Sequence, residues 1–260
     1  MELREDEIRR YARQLILPEF GGAAQQRLKA ATVTVIGAGG LGSPLLLYLA
    51  GAGVGRLRIV DDDRVDLGNL HRQVLFTTTD VGRPKAEAAA QRLAALNPAI
   101  TLEPIAVRLD ESNAATLLAG SDVVADGSDR IETRWTVAEA CRAGAIPLVS
   151  VSVQGTAGQL AVWRPHLGPP HPCLACLFAD RPDPTALPTC ASAGVLGPAA
   201  GMLGTMQAVE VIRLLAGLED PPVGELVQVE VLARRIWPMR VPRRAECSPR
   251  CVRSPEPIPG

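Results

Sequence analysis

The stretch VTVIGAGGLG, residues 33–42, decides the fold. Val33, Val35 and Ile36 are β-branched and read as a short buried strand that breaks at Gly37. Gly37, Gly39 and Gly42 then fall on the G-x-G-x-x-G spacing that joins a strand to a helix. The first permits a tight turn, the second lets backbone approach a phosphate, and the third lets helix pack on strand. The free N–H groups and positive dipole end of the helix beginning at Gly42 favour an anion. A nucleotide is the expected ligand, and the pattern alone leaves NAD, FAD and ATP open.

Strand and helix signals alternate around this turn. Strands are predicted at 32–36, 57–60, 102–107, 121–125 and 147–153, and helices at 6–17, 42–52, 84–96, 111–119 and 130–143. The run PKAEAAAQRLAAL (84–96) is dense in strong helix formers and stops at Asn97-Pro98. In the 6–17 helix the apolar positions are Ile8, Tyr11 and Leu15. This alternation predicts an α/β fold: a Rossmann-like, mostly parallel sheet with helices on both faces. A helix at about 200–216 and one or two strands within 224–240 follow, the latter expected as a C-terminal antiparallel extension. Residues 1–251 read as one domain, with a proline-rich crossover loop at about 164–193 and a flexible tail at 252–260.

The totals narrow the class. The 260 residues are 47% hydrophobic but only 3% aromatic, so a full core is expected to pack from aliphatic side chains. A net charge of −1 leaves no electrostatic footprint for nucleic acid. The N-terminal MELREDEIRR is charged throughout and does not read as a signal peptide, so a cytoplasmic protein is expected. Residues 191–209 carry no charge, but Gly194, Gly197, Pro198, Gly201 and Gly204 interrupt them and Glu210 and Arg213 follow. They read as a buried loop and helix, not a membrane span.

The choice of nucleotide rests on charge. Asp61 stands 19 residues beyond Gly42 (61 − 42), where a carboxylate holds ribose hydroxyls. That alone suits NAD. However, DLGNLHRQ (66–73) supplies Asn69, Arg72 and Gln73 around Gly68, Leu70 and His71; GRPKAE (82–87) supplies Lys85; and RRYARQ (9–14) supplies Arg10, Arg13 and Gln14. The two phosphates of NAD are met largely by backbone N–H groups. A triphosphate whose charge shifts during transfer needs arginine and lysine as well. DGSDR (126–130) adds Asp126 and Asp129 at a predicted strand end, where a carboxylate can hold magnesium, with Asp63 as a further candidate.

Together, RYARQ, GAGGLGSP, DDDRVDLGNLHRQ, VGRPK, GSDR and CLAC…TCASAGV resemble the bacterial E1-like adenylyltransferases of the MoeB/ThiF family, over about residues 8–251. The resemblance implies an enzyme that uses ATP and Mg2+ to adenylate the C-terminal glycine carboxylate of a ubiquitin-like sulfur-carrier protein of the MoaD or ThiS kind. Pyrophosphate is released, and a sulfur donor later converts the acyl-adenylate to a thiocarboxylate. It implies that Gly37, Gly39, Gly40 and Gly42 lie at the phosphates and Asp61 at the ribose. Asp63, Gly68, Asn69, Leu70, His71, Arg72, Gln73, Lys85, Asp129 and Arg130 are implied around the ATP, with Asp129 serving magnesium and Arg13 reaching the ATP of the neighbouring subunit. A homodimer, or a heterotetramer with the carrier, is therefore expected. No rhodanese-like segment follows the tail, so a separate sulfur donor is expected. The chain departs from the family pattern at Gly68, usually Ser, and at Arg130, usually Asn. Another adenylated substrate, a natural-product peptide or a modified tRNA, is the alternative reading.

Among the six cysteines, Cys173-x-x-Cys176 and Cys247-x-x-x-Cys251 read as two thiolate pairs of one tetrahedral structural zinc site. The resembled family also carries such a zinc, with C-x-x-C as its usual second pair. Cys190 lies in the loop that crosses the active site in the family, where some relatives use a cysteine to bond the carrier covalently. Cys141 reads as a small buried hydrophobe.

Overall fold

The computed structural model describes residues 2–178, 194–245 and 247. Cys190, Cys251, the end of the expected crossover loop and the tail at 252–260 lie outside the described residues.

The strands β1 (Thr32–Ile36), β2 (Arg56–Val60), β3 (Thr101–Ile105), β4 (Val123–Asp126), β5 (Leu148–Gln154), β6 (Ala157–Trp163), β7 (Glu225–Glu230) and β8 (Arg235–Arg240) form one sheet in the order β3-β2-β1-β4-β5-β6-β7-β8. The first five are mutually parallel, with Val33 of β1 facing Leu57 of β2 and Val123 of β4. From β5 onward each added strand is antiparallel. The expected mixed α/β sheet with an antiparallel extension is what the chain forms. Sequence reading missed β6 as a strand, and through it the link between the parallel sheet and the extension.

Alternate residues of the strands feed two cores. On one face Val33, Val35, Leu57, Ile59, Val123 and Ala125 pack with Leu45 and Leu49 of α3 (Gly42–Ala52), Leu93 of α4 (Lys85–Leu96) and Leu203 and Val211 of a long helix (Gly197–Ala216). On the other, Ile36, Val60, Val124 and Leu148 pack with Leu118 of α5 (Ala114–Leu118) and Val137 and Cys141 of α6 (Ile131–Ala143). The short α7 (Leu174–Leu177) precedes that long helix, α8. By length and composition α8 could cross a membrane. In the fold it lies against α3 and strands β4 to β6, as a buried helix was expected to do.

Two N-terminal helices hold the far end of α3. In α1 (Glu5–Leu15) Tyr11 is buried as expected, but Ile8 is 48% exposed. The buried partner of Tyr11 on this helix is Glu7, whose carboxylate accepts from Lys29 Nζ at 2.7 Å. The lysine and the Arg4 amide draw the Glu7 carboxyl below its usual range against the opposing effect of burial. The helix α2 (Gly21–Ala30) is not among those expected from sequence, and its Gly21 and Gly22 are poor helix formers. Tertiary contacts override that propensity: Gln25 Nε2 donates to Ala52 O at 2.9 Å and Arg27 Nε to Ala216 O at 2.8 Å.

The site end of α3 is held by close approach. Gly37 turns with φ +89°, its N–H donating to Val60 O at 2.9 Å. A Cβ on Gly42 would overlap the Gly37 carbonyl. In α8, a Cβ on Gly204 would overlap the Leu41 carbonyl and stand 2.7 Å from Pro44 Cγ, whereas Gly201 on the same helix faces open space. Gly204→Ala should therefore destabilise the fold by about 1–3 kcal/mol, read as a lower denaturant midpoint at constant m-value. Gly201→Ala, relieved of glycine's backbone entropy, should hold or raise the midpoint. Equal midpoints for the two variants would refute the tight α3–α8 contact.

Candidate active site

The chain leaves β1 toward β2 and β3 on one side of the sheet and returns to β4 on the other. The strand order thus reverses between β1 and β4, where ligands bind in open α/β sheets. A cleft of about 190 Å³ opens at this point, over the carboxyl ends of β1, β2 and β4. Its floor is the Gly37, Gly39, Gly40 turn. Ile36, Val60, Val107 and Leu109 supply apolar walls that suit a flat base, and nine of the other lining side chains are charged.

Asp61 follows β2 and is anchored by two backbone amides: Ala38 N donates to its Oδ2 at 2.7 Å and Asp63 N to its Oδ1 at 2.9 Å. Burial pushes its carboxyl above the usual range, while the Lys85 ammonium and those amides pull it back. Each oxygen retains acceptor capacity for a ribose hydroxyl. Lys85, at the start of α4, is buried, and its Nζ donates to Asp63 Oδ2 at 2.9 Å. The lysine thus enters the cleft as a held point charge.

Arg72 is held just as firmly. Asn69 Oδ1 accepts from its Nη2 at 2.9 Å and from Gln73 Nε2 at 3.1 Å. Its Nη1 lies 3.3 Å from the Gly68 carbonyl and 2.7 Å from His71 Nε2. As the guanidinium only donates, His71 Nε2 must be the unprotonated acceptor in that contact. Asn69, Arg72, Gln73 and Lys85 all line the cleft. Gly68, Leu70 and His71 do not: Leu70 packs on the core, and Gly68 and His71 contact the Arg72 guanidinium. Gly42 lies behind the turn and supports it without lining the cleft.

The third wall follows β4. Asp126, fully buried, accepts from Ser128 N at 2.9 Å and so shapes the turn Gly127-Ser128-Asp129. Arg134 of α6 donates to the Ser128 carbonyl from the other side. Gln207 of α8 ties the strand ends together, its Nε2 donating to Asp126 O at 3.0 Å and Val149 O at 2.9 Å. The turn displays Asp129 and Arg130, both exposed and lining the cleft, and neither has an ion pair or hydrogen-bonded side-chain partner among the described residues. Arg108 and Arg134 also line the cleft. Neither was singled out from sequence, although both lie on segments that follow strands at the ligand-binding edge, which was the available signal.

Arg13 is not brought to this cleft. It is exposed on α1, whose Tyr11 and Gln14 dock on the C-terminal end of α3: Asn97 Nδ2 bridges Tyr11 Oη and Ala50 O, and Gln14 Nε2 donates to Ala52 O at 3.1 Å. At 1.5 Å per residue α3 is about 16 Å long, so Arg13 stands at the opposite end from the glycine turn.

Away from the cleft, Cys173 Sγ lies 3.8 Å from Cys176 Sγ and 3.5 Å from Cys247 Sγ, all three buried and none in a disulfide. Sulfurs bound tetrahedrally at about 2.3 Å from one zinc ion stand about 3.8 Å apart, so this spacing fits a shared ion. Cys141 is a buried hydrophobe on α6, its thiol pushed up by burial.

The sequence pattern described as the ThiF family matches residues 11–251. The chain is 45% identical over 249 residues to the sulfur carrier protein adenylyltransferase of Thermus thermophilus, covering 95% of this chain and 92% of that one. It is 43% identical over 251 residues to the sulfur carrier protein ThiS adenylyltransferase of Escherichia coli, covering 96% and 97%. Among solved structures, E. coli MccB with MccA-N7isoASN superposes with a TM-score of 0.79 at 22% identity, over 92% of this chain and 74% of that one, a likeness of fold.

Proposed function

The chain belongs to the ThiF family, and from that membership we propose that it is an ATP-dependent adenylyltransferase that activates the C-terminal glycine carboxylate of a ubiquitin-like sulfur-carrier protein. Residues 1–251 act as one adenylation domain. The observation that carries this reading is the content of the cleft. A glycine turn open to phosphate, two cations held in place (Arg72 and Lys85) and a carboxylate without a partner among the described residues (Asp129) converge where the strand order reverses.

The reaction needs little covalent help. A carrier carboxylate oxygen attacks the α-phosphorus of ATP, the bond from that phosphorus to the bridging oxygen breaks, and pyrophosphate leaves with the electron pair. The nucleophile is already ionised, so no general base is required. The work is positioning and charge stabilisation. Asp61 holds the ribose. Arg72 and Lys85, fixed before substrate arrives, stabilise charge as it moves onto pyrophosphate without reorganising. Asp129, an exposed hard oxygen donor, would hold magnesium, which when bound neutralises phosphate charge. ATP/pyrophosphate exchange with candidate carriers ending in Gly-Gly is the direct test. Wild type should exchange label and Asp129→Ala should lose at least about 100-fold while retaining its thermal midpoint. Near-normal exchange in Asp129→Ala would assign the metal to Asp63 or Asp126 instead. No exchange with any such carrier, alongside exchange with a peptide or tRNA substrate, would reject the carrier assignment.

Arg13 completes the ATP site of a second copy in a homodimer. Its position at the far end of α3 supports action across an interface, because it cannot reach the glycine turn of its own chain. Arg13→Ala and Asp129→Ala should each be inactive, and their mixture active. At full random exchange half the dimers are mixed and one of their two sites is whole, so about a quarter of wild-type activity should return. Exchange of subunits without recovered activity would rule out the shared site.

Cys173, Cys176, Cys247 and Cys251 hold one structural zinc that ties the C-terminal segment to the loop before α7. The three described sulfurs support this by their spacing. Purified wild type should contain about one zinc per chain, and Cys173→Ser well under half of that. Wild type purified free of zinc under non-chelating conditions would disprove it.

A further inference from the structure

We propose that Arg130 is the carboxylate receptor of the active site: it binds the C-terminal carboxylate of the carrier and sets the enzyme's preference for an acid over a neutral end. This rests on the adenylyltransferase reading.

Charge in the cleft supports it. Five cationic side chains (Arg72, Lys85, Arg108, Arg130 and Arg134) line it against four acidic ones (Asp61, Asp62, Asp63 and Asp129). That near-balance turns negative once a triphosphate enters. The second substrate is also an anion, and it must approach an α-phosphate with Asp129 beside it. A cation near the point of attack is needed to offset that repulsion.

Most of the cations are committed elsewhere. Lys85 is paired with Asp63, Arg72 is held by Asn69, Gly68 and His71, and Arg134 is bonded to the Ser128 carbonyl. Arg108 projects from the loop after β3, two strands away from β1 on the apolar-walled side of the cleft. Arg130 alone follows Asp129 directly and begins α6, so its guanidinium and the metal-binding carboxylate share one turn. Nor is it consumed by Asp126. That carboxylate is buried, with one oxygen on Ser128 N and the other without a hydrogen-bond partner among the described residues. A planar guanidinium fits a carboxylate with two parallel hydrogen bonds, geometry that an amide side chain at this position does not offer.

The test compares a carrier that supports exchange with the same carrier bearing a C-terminal amide. Binding is measured in the presence of magnesium and a non-hydrolysable ATP analogue. Wild type should bind the acid form about tenfold or more tightly than the amide form, and Arg130→Ala should bind the two alike. In exchange assays Arg130→Ala and Arg130→Asn should raise KM for the carrier roughly 10- to 100-fold and leave KM for ATP within about twofold. A raised KM for ATP with an unchanged carrier KM would make Arg130 a nucleotide contact and overturn the proposal. So would an acid preference that survives in Arg130→Ala. Wild type inactive with every carrier overturns the adenylyltransferase reading and this inference together; active wild type with indifferent Arg130 variants overturns this inference alone.

Discussion

The structure depends on one steric constraint, the contact of backbone with backbone at the Gly37–Gly42 turn. Gly37 reverses the chain with a positive φ, and Gly42 begins α3 so close to the Gly37 carbonyl that no side chain fits between them. This seats the N-terminus of α3 directly above the end of β1. A second approach of the same kind, Gly204 of α8 on the Leu41 carbonyl, fixes α8 against the turn. Because α8 carries Gln207, that packing also reaches β4 and β5 through the Asp126 and Val149 carbonyls. A change of one methyl group at either glycine would therefore move the Gly37–Gly42 turn relative to the strand end that displays Asp129.

The cleft built on this frame is preorganised by pairing. Lys85 and Arg72 are cations that would otherwise search rotamers in solvent. Here Asp63 restrains one, and Asn69, the Gly68 carbonyl and His71 restrain the other. Such partners lower the net charge a ligand meets, but they remove the reorganisation that would otherwise accompany charge movement on a leaving group. Asp129 and Arg130 are exposed on a turn whose backbone is fixed by buried Asp126 and by Arg134. Among the described residues, the groups assigned to approaching substrate have no side-chain partner, and the groups assigned to developing charge are held.

Both termini bear on distant parts of the fold. The N-terminal helices clamp the far end of α3 through Tyr11, Gln14 and Gln25, which places Arg13 away from the cleft of its own chain. Near the other end, Cys247 comes back to Cys173 and Cys176 across more than 70 residues of sequence.

By itself the sequence determined whatever depends on local periodicity and on residues close together in the chain. The β-branched run at 33–36, the glycine spacing, the helix formers of 84–96 and the strand-end aspartates 61 and 129 each express their structural role within a few residues. From them the parallel core and most of the cleft could be read. Only tertiary structure decided what depends on distant partners. Gly21-Gly22 argue against a helix, yet α2 forms because Gln25 and Arg27 find carbonyls at the ends of α3 and α8. Ile8 has helical periodicity with Tyr11, yet stays exposed because Glu7 takes the buried position beside Lys29. His71 sits within a ligand-binding motif, yet turns to Arg72 and off the cleft. Arg108 and Arg134 belong to no local pattern and enter the site because β3 and α6 end and begin at its rim. Propensity and spacing act over a turn or two of chain. Burial, pairing and charge balance are settled by which side chains the sheet topology brings together.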